Sequence, residues 1–197
     1  MNSFPELIKF DPGMYIEALV HWLILNFQGF FDALTDVIKW IVFNIQNGLS
    51  FIPWFLFILL IFLLGWKLKS FKSGLGYAMM IMLIGLIGLW EDMIFTLAIV
   101  ITSVILSIII GIPIGIYSAY NKKLEALLKP LLDGMQTMPS FVYLIPAMIF
   151  FGLGTVPAVF ATIVYSTPPC IRLTSLAIQR VPKEMREAAH AFGSSRW

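Results

Sequence analysis

The sequence predicts an all-α polytopic membrane protein of about five transmembrane helices, preceded by interfacial amphipathic helices. Three observations carry that expectation. Of 197 residues, 59% are hydrophobic and 12% charged, with a mean hydropathy of +0.90, a balance outside the soluble globular range. Uncharged runs long enough to cross about 30 Å of hydrocarbon recur along the chain. The thirteen Lys and Arg residues sort unequally between alternate ends of those runs.

Residues 1–13 carry Glu6, Lys9 and Asp11 and lack the apolar stretch of a cleavable signal peptide. Over 14–47, Glu17, His21, Gln28, Asp32, Asp36, Lys39 and Gln46 recur at helical spacing. This polar stripe reads as one or two helices lying along the membrane surface, broken near Gly29 and ended near Gly48. A tilted span with a buried polar face is the competing reading. Residues 49–66 are uncharged, begin near Pro53 and carry Trp54 and Trp66 near their ends, where indoles favour the interface; this is the first span. Lys67, Lys69 and Lys72 then precede the uncharged second span, 73–90, which closes on Glu91 and Asp92.

The third span runs from 93 to about 120 and contains Gly111, Pro113 and Gly115 (GIPIG). Small residues four apart favour close helix packing, and a packing kink is preferred here to a solute role. From Asp133 to Arg172 no charge occurs, and the thirty-eight residues between exceed one span. Gly152, Gly154, Thr155 and Pro157 supply a turn, giving a fourth span over 135–151 and a fifth over 156–178. Pro139, Pro146, Pro168 and Pro169 remove backbone donors, which is tolerated at depth only beside protein or a wet cavity. With five spans, eleven cations fall on or toward one side and only Lys9 and Lys39 on the other. The positive-inside rule then puts the amino terminus outside and 181–197 in the cytoplasm. Arg172 lies well inside the fifth span and reads either as a snorkelling anchor or as a gate.

The stretch VPKEMREAAHAFGSSRW (181–197) has an apolar face of Val181, Met185, Ala188, Ala189 and Phe192. Pro182 suits a helix start and Gly193 a left-handed stop, predicting a helix over 183–192. Glu187, Ala188, Ala189 and Gly193 resemble the EAA loop of permease subunits of ATP-binding-cassette importers. The resemblance extends to TLAIVITSVILSIIIGIPIGIYSAY (96–120), LLDGMQTMPSFVYLIP (131–146) and PPCIRLTSLAIQRVP (168–182), which are similar to stretches of the glycine betaine/proline class of type I importers.

That resemblance implies a type I importer permease fold. The chain then divides into an extracytoplasmic interfacial segment (1–48), two spans (49–92) and a partial transmembrane core (93–197) with a coupling helix at 182–193. In the family the loop leads on to an I-x-L-P ending and further spans, whereas this sequence stops at Trp197, so a truncated, incomplete bundle is expected. The implied function is ATP-driven import of glycine betaine, proline betaine or a related quaternary ammonium osmoprotectant. Implied partners are a cytoplasmic ATPase, a second permease subunit (a homodimer), an extracytoplasmic substrate-binding protein and the lipid membrane, with no nucleic acid. Met185, Glu187, Ala188, Ala189, Phe192 and Gly193 would dock the ATPase.

The sequence has no G-x-x-x-x-G-K-[ST] loop, so no cofactor is expected on this chain; ATP and magnesium would sit on the ATPase. Cys170, His21 and His190 form no metal-ligand spacing and assemble no nucleophile and base. A betaine pairs a carboxylate with a bulky cation, which calls for hydroxyl donors and aromatic faces. Gln136, Thr137, Tyr143, Tyr165, Ser166 and Thr167 are the candidates, weighed against a plain role in hydrogen bonds between helices. A same-fold permease for another small solute such as an amino acid, and a non-transporting scaffold fragment, are the alternative functions.

Overall fold

The structure, a computed structural model, describes residues 12–193, the side chains of Pro12, Arg186 and His190 excepted. The expected positions of Lys9 and Arg196 and the outermost ends of the chain lie outside the described residues. Among the described residues there are eight helices and no strand: α1 (Pro12–Ser50), α2 (Trp54–Leu68), α3 (Phe71–Leu86), α4 (Trp90–Tyr120), α5 (Lys122–Thr137), α6 (Phe141–Phe151), α7 (Thr155–Gln179) and α8 (Lys183–Ala191).

The α4 and α7 helices form the axis on which the others are hung. Along α4 the buried positions are Ile94, Ala98, Thr102, Ser103, Ser107, Gly111, Gly115 and Ser118, one stripe of mostly small residues. Small side chains let two backbones approach where lipid supplies no hydrophobic drive between helices. At the expected GIPIG motif the approach is closest. A Cβ on Gly111 would lie 2.8 Å from Cys170 Sγ, and one on Gly115 2.8 Å from the carbonyl oxygen of Ile171. The packing role of that motif is therefore observed, and Pro113 sits on the exposed side of an unbroken helix. Three of the hydroxyls buried on α4 have hydrogen-bond partners. Thr102 donates to the Ala98 carbonyl at 2.8 Å, Ser103 to that of Ile99 at 2.8 Å, and Ser107 and Ser166 share a 2.6 Å bond across the helices. Such a membrane hydrogen bond contributes only about 0.6 kcal/mol, so close packing dominates the association.

The one or two helices expected over 14–47 are α1, two helical halves that meet at a kink at Phe27 (φ −118°, ψ 18°), two residues before the expected break near Gly29. The Asn26 side chain donates to the Trp22 carbonyl at 2.8 Å, competing with the backbone ladder just before the bend. The second half of α1 does not stand apart. Its Ile38 and Val42 are buried in one cluster with Ala98, Val156 and Val159, so it packs on α4 and α7 through an apolar face. Of the polar stripe, Glu17, His21, Gln28, Asp32, Asp36 and Lys39 are exposed and Gln46 is half-buried.

Among the described residues α4 alone is by itself long and apolar enough to cross a membrane; two bent pairs, α1 with α2 (89°) and α5 with α6 (93°), reach that standard together. The first two expected spans are the hairpin of α2 and α3, both shorter than predicted: α2 starts late, after Pro53, and α3 ends early at Leu86, before Gly88 with its positive φ (82°). Gly65 and Gly74 are buried against each other, a Gly65 Cβ falling 2.8 Å from the Gly74 Cα. Gly74→Val is expected to force the hairpin apart at a cost of about 1–3 kcal/mol. Thermal unfolding in detergent should show it as a lowered midpoint.

The fourth span requires correction. Its expected start, Met135, belongs to the end of α5, and the run is broken at Met138–Ser140 with Pro139 in the break. The predicted turn at Gly152 and Gly154 is present, both with positive φ (74° and 129°). The expected fifth span corresponds to α7, a continuous helix through Pro168 and Pro169 that is not by itself apolar enough to meet the standard α4 meets. Large exposed apolar side chains cover α2, α3, α4 and α6, the surface expected of helices facing lipid.

Candidate functional site: a docking helix and a cavity at a broken helix

The α8 helix begins directly after Pro182 and ends one residue before the predicted Phe192; Gly193 takes the predicted left-handed conformation (φ 84°). Met185, Ala188, Ala189 and Phe192 follow the i, i+3, i+4, i+7 pattern of one helical face. All four are exposed, Phe192 to 91% and Met185 to 65%, and among the described residues α8 packs on no other helix. Glu187 pairs with Lys183 at 3.3 Å one turn earlier, leaving the apolar face clear.

The six pathway candidates divide. Gln136, Thr137 and Tyr165 line an open cavity of about 630 Å³ at the break between α5 and α6, with α7 forming its other wall. Tyr143, Ser166 and Thr167 do not line it. The Tyr143 hydroxyl donates across the break to the Met135 carbonyl at 3.0 Å, Thr167 donates to the Ile163 carbonyl at 2.7 Å, and Ser166 bonds Ser107. Tyr143 and Ser166 thus hydrogen-bond between helices, whereas the Thr167 bond lies within α7.

Ser140, Phe141 and Thr162 also line the cavity and were missed by sequence reasoning. Without the break at Pro139 nothing marks them. Within the cavity, Thr137 and Thr162 already donate to the carbonyls of Gly134 (3.1 Å) and Ala158 (2.7 Å). The donors left for an anionic group are therefore the Gln136 amide, the Tyr165 hydroxyl and the Ser140 hydroxyl, with Phe141 and Tyr165 offering aromatic faces.

Arg172, read as either anchor or gate, makes an ion pair with Asp133 of α5. The two charges that bracket the long uncharged run are thus each other's partner. No cluster of three or more His, Cys, Asp or Glu suited to a metal occurs among the described residues.

Comparison with known proteins gives this geometry a context. The model of the family described as binding-protein-dependent transport system inner membrane component matches residues 111–197. Over 195 residues the chain is 42% identical to the glycine betaine transport system permease protein OpuAB of Bacillus subtilis (strain 168), covering 99% of this chain and 68% of that one. The chain belongs to this permease family. It is 43% identical over 197 residues to the glycine betaine/carnitine transport permease protein GbuB of Listeria monocytogenes, covering 98% of this chain and 70% of that protein. It is also 36% identical over 176 residues to the glycine betaine/proline betaine transport system permease protein ProW of Escherichia coli (strain K12), covering 89% and 50%.

The permease is accordingly a multi-pass inner-membrane subunit of a binding-protein-dependent transport system. It is not an enzyme, since ATP hydrolysis belongs to a separate subunit that works with it.

Proposed function

We propose that this permease carries glycine betaine, proline betaine or a related quaternary ammonium osmoprotectant and is driven through α8 by the ATPase. The single observation that carries the coupling is the exposed, unpartnered apolar face of α8, joined to α7 by only Arg180–Pro182. The named relatives supply the solute class.

In this reading α8 lies in the cytoplasm. Lys122 and Lys123 follow α4 and Arg180 and Lys183 follow α7, two helices that pack side by side in the same direction, and Lys67, Lys69 and Lys72 flank the turn from α2 to α3; this basic bias supports the reading. Met185 and Phe192 seat as apolar anchors, Ala188 and Ala189 admit close approach, Glu187 stands beside them, and Gly193 turns the chain away. ATP and magnesium are held by the ATPase. A second, identical permease subunit completes the pathway, and a substrate-binding protein delivers the solute on the opposite side.

The solute would pass the cavity at the broken helix. Its carboxylate meets Gln136 and Tyr165, and its cation meets the faces of Phe141 and Tyr165. Vesicles containing the assembled transporter should take up labelled glycine betaine, and excess unlabelled betaine, but not an excess of a neutral amino acid, should block it. Gln136→Leu should weaken apparent affinity about tenfold, the loss of a hydrogen bond to a charged group. Uptake blocked by the amino acid and indifferent to betaine would transfer the function to the other solute class.

A further inference from the structure

The strongest unassigned feature is the way α5 is fastened to α7. Two polar ties join them: Arg172 to Asp133 as an ion pair, and the Gln179 side-chain nitrogen to Glu125 Oε1 at 3.1 Å. Eight residues separate Glu125 from Asp133 on α5, and seven separate Arg172 from Gln179 on α7. At 1.5 Å per residue these are matching spans of about 10–12 Å, two helical turns on each helix, in antiparallel order. Apolar packing of α5 on α4 and α7, with Leu132 buried, holds it in place but leaves its rotation to the polar ties. Two ties, two turns apart, fix its rotation as well. Leu128, Leu132, Ile171 and Leu176 line the cleft of about 240 Å³ beside them.

The placement matters because of what stands at each end. Three residues beyond Asp133 comes Gln136 and the break that forms one wall of the cavity; four residues beyond Gln179 comes α8. We propose that Asp133 with Arg172, and Glu125 with Gln179, form a two-point clamp that makes α5 ride on α7 as one body. A displacement of α8 is thereby delivered to the cavity wall. Asp133 and Arg172 are positioning residues in this scheme, touching neither solute nor ATPase. The inference rests on the reading of α8 as the coupling element.

Three forms of the complete transporter test it in vesicles, with ATP hydrolysis and betaine uptake measured together. Asp133→Asn should leave ATPase association and hydrolysis intact and lower uptake per ATP about fivefold or more. The exchange Asp133→Arg with Arg172→Asp should restore at least half of the lost coupling. In a Cys170→Ala background, Asp133→Cys with Arg172→Cys bridged by a short bismaleimide should retain transport, because the clamp holds throughout the cycle. An unchanged ratio in Asp133→Asn, a parallel fall of hydrolysis and uptake, or no recovery in the exchange would overturn the clamp. So would a bridged transporter that stops, which makes the pair a gate that must open. If the unmodified transporter moves no betaine, the proposed function fails instead, independently of the clamp.

Discussion

Gly115→Val is expected to prevent α4 and α7 from packing, and with them the bundle. A Cβ at this position would stand 2.7 Å from the Thr174 Cβ and 2.8 Å from the Ile171 carbonyl oxygen. The second of these is helical backbone and cannot swing aside. Valine adds two methyl groups beyond that Cβ, so the helices must separate along the seam that buries Ser107, Gly111 and Ser118. The expected cost is about 3 kcal/mol or more, the upper end for overpacking a tight core. It should be read as loss of the monodisperse species after purification in mild detergent and as a collapsed melting transition. Gly134→Ala is the matched control: nothing lies within 4 Å of its Cβ, and better helix propensity should leave stability unchanged or raise it by about 1 kcal/mol. Equal behaviour of the two variants would refute the close-approach account of the seam.

The second large effect is expected at α8. Ala189→Asp places a carboxylate in the middle of the face formed by Met185, Ala188 and Phe192. Gly193→Pro replaces a residue at φ 84° by one held near −65°, redirecting the chain after the helix. Either change should weaken binding of the ATPase by about 30-fold, near 2 kcal/mol, as for a central interface residue. Because α8 touches no other helix among the described residues, insertion and melting of the bundle should not move. Titrating purified ATPase onto the permease in lipid nanodiscs measures this directly, and normal affinity in both variants would remove α8 from the docking site.

What the sequence disclosed depended on whether a single helix or a contact between helices carried the information. The length of α4, the glycine turn before α7 and the extent of α8 follow from uncharged runs, positive-φ glycines and a 3.6-residue period, all properties of one segment. The α5 helix was passed over because Pro130 and a mixed charge pattern disguise it. Asn121 was the available signal: its Oδ1 accepts from the backbone N–H groups of Lys123 and Leu124 at 3.1 Å, an ordinary helix cap. The break at Met138–Ser140 was hidden inside a run whose hydropathy never falters.

The candidate site was legible in the same partial way. Residue type selects hydroxyls and aromatics as a class, but Ser166 and Tyr165 are adjacent in sequence and face different neighbours, one the buried seam and the other the cavity. Likewise nothing in either local sequence announces that Asp133 will meet Arg172 thirty-nine residues later.

The stripe of glycine, serine, threonine and alanine on α4 has a mechanical consequence. Helices joined by interlocking leucines resist relative motion, because each side chain must be withdrawn from its socket before it can enter the next. Between α4 and α7 there is little to withdraw. The hydrogen bonds across the seam are few: Ser103 reaches the Val159 carbonyl at 3.5 Å and Ser107 bonds Ser166. The seam behaves as a bearing: close enough to hold the two helices together, and smooth enough that turning one against the other meets low friction.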